Sequence, residues 1–219
     1  MTAADMAYWQ SAAEDAAMQE EHGFIWDAML ETVDIDLAGR RVLDAGCNRG
    51  GFLRLLCARA GIAAGWGYDP APGAIADARR LAGDLPLTFD ATETVPSHWG
   101  GFDASFSHEV LYLIHDLGAH AAAIHRALVP GGAYYAVMGV HAGSPGMADW
   151  HAENVERLHL PPLYTLDEVI AAFIGAGFEV AASRLRMGFV PVSPHAPSFP
   201  SSLEYYYEHK VMLRLARPR

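Results

Sequence analysis

A chain of 219 residues that is 52% hydrophobic and 19% charged has the size and composition to fold around its own core, which excludes a disordered or fibrous protein. Fifteen basic against 26 acidic residues, a formal charge of −11, argue against a nucleic-acid partner, because duplex binding rests on Lys and Arg displacing counterions. Two cysteines, Cys47 and Cys57, make no disulfide framework, and neither a signal peptide nor an apolar run of roughly 20 residues is visible, so the expectation is a protein of the reducing cytoplasm without membrane contact.

The acidity is local. Residues 1–39 hold nine Asp or Glu and no Lys or Arg, whereas residues 40–219 carry 17 acids and 15 bases. Residues 3–35 are dense in Ala and place Met18, Phe24, Trp26, Met29, Leu30 and Val33 at helical spacing, which predicts two helices broken near His22-Gly23. Short apolar runs ending at Gly or Asp then alternate with helical stretches. They predict strands over 41–45, 65–69, 85–89, 102–107 and 133–140, with helices over 52–60, 74–81 and 117–128. Alternation at this spacing means parallel βαβ units with helices on both faces of a sheet.

Thr165-Leu166-Asp167-Glu168 reads as a capping box opening a helix that the glycines at 175 and 177 end. Strands over 178–187 and 205–215 follow with no helix between them, and are most simply antiparallel. Pro191, Pro194, Pro197 and Pro200 recur every third residue in the connecting loop and stiffen it toward polyproline II. The predicted architecture is a helical lid segment, 1–39, on an α/β domain, 40–219, whose doubly wound, mostly parallel seven-stranded sheet has an antiparallel last strand.

The chemistry concentrates in Val42-Leu43-Asp44-Ala45-Gly46-Cys47-Asn48-Arg49-Gly50-Gly51, a strand feeding a Gly-rich turn and then a helix. Glycines there let a ligand approach the backbone, and the helix start offers free N–H groups. Companions follow in order: Asp69 ends the second strand, Asp90 follows the third, and the fourth runs into Ser107-His108-Glu109.

With these residues the sequence resembles the Rossmann-like, seven-stranded S-adenosylmethionine-dependent methyltransferases, especially those acting on small molecules. Asp44 to Gly50 is similar to that family's acidic-x-Gly-x-Gly-x-Gly motif, with Asn48 at the middle glycine. Gly67-Tyr68-Asp69, Thr88-Phe89-Asp90-Ala91 and the stretch from Phe102 to Leu111 resemble its next three motifs, and Leu128-Val129-Pro130-Gly131-Gly132 its turn before the fifth strand. The resemblance covers roughly residues 40–186. It implies S-adenosyl-L-methionine as cofactor, bound through Asp44, Gly46, Cys47, Asn48, Gly50, Asp69, Asp90, Ala91, Ser107 and His108. Asp44 would favour the cationic amino-acid end, Asp69 the ribose hydroxyls, Asp90 and the Ala91 N–H the adenine.

Two other readings stand beside it. A nicotinamide-dependent oxidoreductase would use Gly46, Gly51 and Asp69, but would place Asn48 and Asp44 against a pyrophosphate. A cofactor-binding protein of the same fold without turnover is the other. For the methyl acceptor, a small molecule is expected, with His108 first, His141 second and Tyr112 as candidate bases at strand ends. His115 lies nearby, while His120, His125, His159 and His209 read as solvated, and His151 and His159 as an exposed helix face rather than a metal site. Tyr8, Trp9, Phe24 and Trp26, together with Met147, Trp150, His151 and Leu160 in the stretch 143–164, could roof an apolar acceptor. Pro161-Pro162-Leu163-Tyr164 carries no assigned role. A monomer and a homodimer are both compatible with the sequence.

Overall fold

The computed structural model describes residues 12–192 and 202–219. Tyr8, Trp9, Pro194, Pro197 and Pro200 lie outside the described residues. Seven strands form one sheet: β1 (Arg41–Ala45), β2 (Ala64–Asp69), β3 (Leu87–Ala91), β4 (Phe102–His108), β5 (Leu128–Met138), β6 (Glu179–Arg184) and β7 (Val211–Ala216). Their order is β3-β2-β1-β4-β5-β7-β6. The first five run parallel, and β7 pairs antiparallel with both β5 and β6. Between β1 and β4 the winding reverses direction, which opens a crevice at the carboxyl ends of these strands.

Helix α1 (Ala12–Thr32) runs through His22-Gly23 without the predicted break. Glycine inside a helix costs about 1 kcal/mol, and the burial of Ile25, Ala28 and Met29 against the core offsets it. With α2 (Gly51–Ala60) and α3 (Pro72–Ala82), α1 covers one sheet face through Phe52, Leu53, Leu56 and Ile75, packed on Val42, Phe89, Phe106 and Tyr135. Asp34, just past α1, accepts from the Tyr135 hydroxyl and pairs with Arg214, tying this segment to β5 and β7. The opposite face carries α4 (Leu117–Ala127) and α6 (Leu166–Gly175), whose Ile124, Val169 and Phe173 pack on Leu43, Tyr134 and Leu213. The capping box forms, with Glu168 N–H donating to Thr165 Oγ1 at 3.2 Å and Thr165 N–H to Glu168 Oε2 at 2.7 Å.

Three elements depart from expectation. Strand β5 begins at Leu128 rather than 133, because Gly131 N–H and the Gly132 carbonyl both bond to Arg217 and carry the pairing through the Pro-Gly-Gly run. Residues Tyr205–His209 form a single π-helical turn, so β7 starts at Val211. The stretch 143–164 contains a helix, α5 (Met147–Leu158), which closes a small apolar cluster with Tyr112, Val140, Leu160 and Tyr205 beside the crevice. His120 is not solvated. It is buried on the sheet-facing side of α4, where its Nε2 lies 3.3 Å from the Tyr134 hydroxyl. Among the described residues no helix is long and apolar enough to cross a membrane.

Candidate active site

The turn after β1 is locked from several sides. Gly46 and Cys47 both donate their N–H to the Tyr68 carbonyl, at 2.9 and 3.0 Å, so the turn is stitched to β2. Gly46 has φ 70°, and a Cβ there would collide with the Val110 side chain that follows β4. Asn48 takes a left-handed φ of 45°, which Asn tolerates better than other side chains. At Gly50, also φ 70°, a Cβ would stand 2.6 Å from the Phe89 ring. Arg49 reaches Asp77 on α3 at 3.1 Å.

Asp69 is the pivot of this turn. Its Oδ2 accepts the Asn48 N–H and its Oδ1 the Ala71 N–H, each at 2.9 Å. The carboxylate is thereby fixed at the end of β2. Asp44, near the end of β1, is only 4% exposed. Burial first, and the neighbouring Asp69 second, push its carboxyl well above the usual carboxylate range. Among the described residues no cation or hydrogen-bond donor meets it. A cationic ligand beside this carboxyl would favour its charged form. Asp44→Asn is therefore expected to raise the melting temperature of the ligand-free protein by about 2–4 °C, since it removes a buried ionisable group. The same variant should bind a cationic cofactor more weakly, and calorimetry beside thermal denaturation checks both signs.

Asp90, at the end of β3, accepts the N–H of Ala91 on its own Oδ1 at 3.0 Å and lies 3.8 Å from Arg79. The Ala91 amide assigned to adenine is thus already held by the neighbouring carboxylate. Ser107 also differs from expectation in its side chain. Its hydroxyl is fully buried against the Tyr134 hydroxyl, at 2.6 Å, on the α4 side of the sheet.

His108 points to the opposite face and meets His22 of α1 edge-on, ring centroids 4.6 Å apart at 80°. Burial, reinforced by the positive charge of Lys210 and opposed by Glu109, lowers His22 to about 4. Burial, Lys210 and His22 hold His108 well below its ordinary value. Both rings are uncharged at neutral pH, and the buried Nε2 of His108 has no hydrogen-bond partner among the described residues. The other two candidate bases are occupied differently. His141 donates from Nε2 to the His209 carbonyl at 3.1 Å and accepts the Gly143 N–H on Nδ1 at 3.2 Å, so both nitrogens are committed. Tyr112 is buried, edge-on to Trp150 of α5 at 6.1 Å. His115 Nε2 donates to the His159 carbonyl, 2.8 Å away, and His151 Nε2 donates to the Pro161 carbonyl at 2.7 Å.

Beside the histidines lies a buried ionic cluster that sequence reasoning missed. Glu109 has φ 54°, a left-handed conformation uncommon for glutamate. Its Oε1 accepts from Lys210 Nζ at 2.7 Å, Gly139 N–H at 2.8 Å and the Tyr205 hydroxyl at 2.9 Å. The Lys210 side chain is 2% exposed. One signal was available: Lys210 is the only lysine in the sequence. His22 carried none beyond its place in an Ala-rich helix.

Comparison with known proteins follows the same lines. The family described as "Methyltransferase domain" matches residues 43–136, from β1 into β5. A chain from the Haloferax volcanii complex that contains the Trm112 methyltransferase activator superposes with a TM-score of 0.82 at 23% identity, covering 97% of each chain. An S-adenosylmethionine-dependent methyltransferase from Mesorhizobium loti superposes at 0.64 and 21% identity, over 89% of this chain and 98% of that one. Haemonchus contortus phosphoethanolamine N-methyltransferase 2, crystallised with S-adenosyl-L-methionine, superposes at 0.69 and 18% identity, over 100% of this chain and 60% of that one. No curated protein sequence matches the chain. Residues 43–136 thus match a methyltransferase domain, and the strand order places the glycine turn and its two carboxylates on the seven-stranded, Rossmann-like fold that these S-adenosylmethionine-dependent methyltransferases share.

Proposed function

We propose that the protein methylates a small-molecule acceptor held in the crevice at the carboxyl ends of β4 and β5, next to His108. The observation that carries the cofactor half of this reading is the pair Asp44 and Asp69 around one tight turn. Asp44 is a buried carboxyl that meets no cation among the described residues, which fits the ammonium of the cofactor's amino-acid end. Asp69 is a carboxylate held in place by two backbone amides at the end of β2, a position and chemistry that fit two ribose hydroxyls. Gly46 and Gly50 leave the turn without side chains where the cofactor passes, and Asp90 with Ala91 takes the adenine end once the amide is released. The cofactor supplies a methyl group already activated on a sulfonium, so the work of the chain is to position the acceptor and exclude water. Of the candidate bases, His108 is the one with a nitrogen to offer; His141 and Tyr112 shape the crevice. A dinucleotide is disfavoured, because its pyrophosphate would face Asp44.

Helix α1, through His22, covers this site as its lid, and the free thiols of Cys47 and Cys57 suit the cytoplasm. Likeness to a chain crystallised with a methyltransferase activator favours a protein partner as well, and a stable complex on co-expression with such an activator would establish it. Transfer of label from methyl-tritiated cofactor to a metabolite extract tests the reaction; binding without transfer points to a protein that does not turn over. Asp69→Ala removes acceptors of charge-assisted hydrogen bonds worth roughly 1.5–3 kcal/mol each and should weaken cofactor binding about 100-fold. Unchanged affinity in calorimetry would refute the ribose role.

A further inference from the structure

We propose that His22 of α1 and His108 at the end of β4 form a two-imidazole site that receives the hydroxyl group of an uncharged acceptor, so that methylation falls on oxygen and α1 supplies half of the acceptor site. The inference rests on the methyltransferase reading above and names the acceptor class within it.

Geometry comes first. The two rings meet edge-on at 4.6 Å, from elements 86 positions apart in the chain, and the buried Nε2 of His108 is left without a partner among the described residues. A buried polar atom left unpaired is costly, and in a native structure it calls for a reason such as a ligand that completes it. A neutral imidazole has one donor and one acceptor nitrogen. Two of them side by side can take the hydrogen of a hydroxyl and also donate to its oxygen.

Electrostatics then chooses between a hydroxyl and an ammonium. The carboxylate at this place, Glu109, is spent: three donors crowd its Oε1, and its Oε2 faces the Val140 N–H at 3.4 Å. Lys210 carries a fixed positive charge beside both rings and covers the faces of Tyr205 and Tyr206, at 4.9 and 5.6 Å, that could otherwise hold a cation. An ammonium entering here would lose its hydration and meet a like charge. A hydroxyl meets neither cost. The proton balance also closes. The acceptor oxygen forms the new O–CH3 bond, the S–CH3 bond of the sulfonium donor breaks with its electron pair left on sulfur, and the hydroxyl proton passes to an imidazole. One positive charge is lost at sulfur and one gained at the ring, so the site keeps its net charge beside Lys210.

The test uses the protein saturated with S-adenosylhomocysteine, with phenol and benzylamine as probes of similar size and opposite chemistry. Phenol should bind at least about 10-fold more tightly than benzylamine; His22→Phe should weaken phenol about 10-fold while leaving S-adenosylhomocysteine affinity unchanged, and His108→Phe should weaken phenol about 10-fold with S-adenosylhomocysteine saturating. His22→Asn, which keeps a donor and an acceptor, should retain part of the phenol affinity. In the wild type, phenol should shift the ring-nitrogen NMR signals of His22 and His108 but not those of exposed His98. Equal or tighter binding of benzylamine, unchanged phenol affinity in His22→Phe, or unmoved signals of either histidine would overturn the proposal. Failure of S-adenosylhomocysteine to bind the wild type would strike the methyltransferase reading instead, which keeps the two failures apart.

Discussion

Lys210→Met is expected to lower the stability of the folded chain by about 3–5 kcal/mol, because it leaves a buried carboxylate without its cation. The Lys210 side chain is 2% exposed and that of Glu109 14%, with Nζ and Oε1 2.7 Å apart. Removing the whole pair behaves differently. In Glu109→Gln/Lys210→Met the uncharged amide oxygen still accepts the Gly139 N–H and the Tyr205 hydroxyl, and the methionine fills the space of the lysine stem. The double variant should recover most of the loss, since replacing a buried ion pair by uncharged groups is often close to neutral. Urea unfolding of both single variants and the double closes the cycle. Losses that simply add would mean the two side chains do not act as a pair.

Acidification gives the second large effect. His22 and His120 are each lowered to about 4 in the folded protein from an ordinary 6.5, His120 by burial alone. Below 6.5 the unfolded chain takes up a proton that the folded chain refuses, so the stabilisation is complete above 6.5 and is lost as pH falls toward 4. Between pH 7 and pH 5 each of these two histidines removes about 2 kcal/mol, and His108 acts in the same direction. His120→Phe should flatten part of the profile, because the new ring packs beside Phe173 while Tyr134 keeps its bond to Ser107. Chemical denaturation at several pH values reads the slope; a stability independent of pH over this range would show that the buried rings take up protons without unfolding.

The division between what the sequence discloses and what it hides follows the range of the interactions. Strands β1, β2 and β4 were legible because parallel inner strands are apolar runs that stop abruptly at Gly, Asp or a polar turn. The cofactor turn was legible for the same reason: Asp44, Gly46 and Gly50 act within a few residues, and Asp69 lies one βα unit away. Helix α4 misled about His120 because alanine on several sides of a helix leaves no apolar stripe to mark the buried face. The start of β5 was hidden by Pro130-Gly131-Gly132, whose pairing depends on Arg217 far along the chain. The acceptor side was least legible. His22 with His108, and Glu109 with Lys210, are each brought together from positions roughly 100 residues apart by sheet topology.

The place of β7 in the strand order has a consequence for assembly. β6 touches the sheet through β7 and not through β5, so neither edge strand nor crevice is complete until the antiparallel pair has docked. The Leu185 N–H bonds the Lys210 carbonyl, so the lysine travels with this hairpin. The parallel core therefore holds the glycine turn and its carboxylates without help from β6 and β7, while Glu109 depends on that antiparallel pair for its cation.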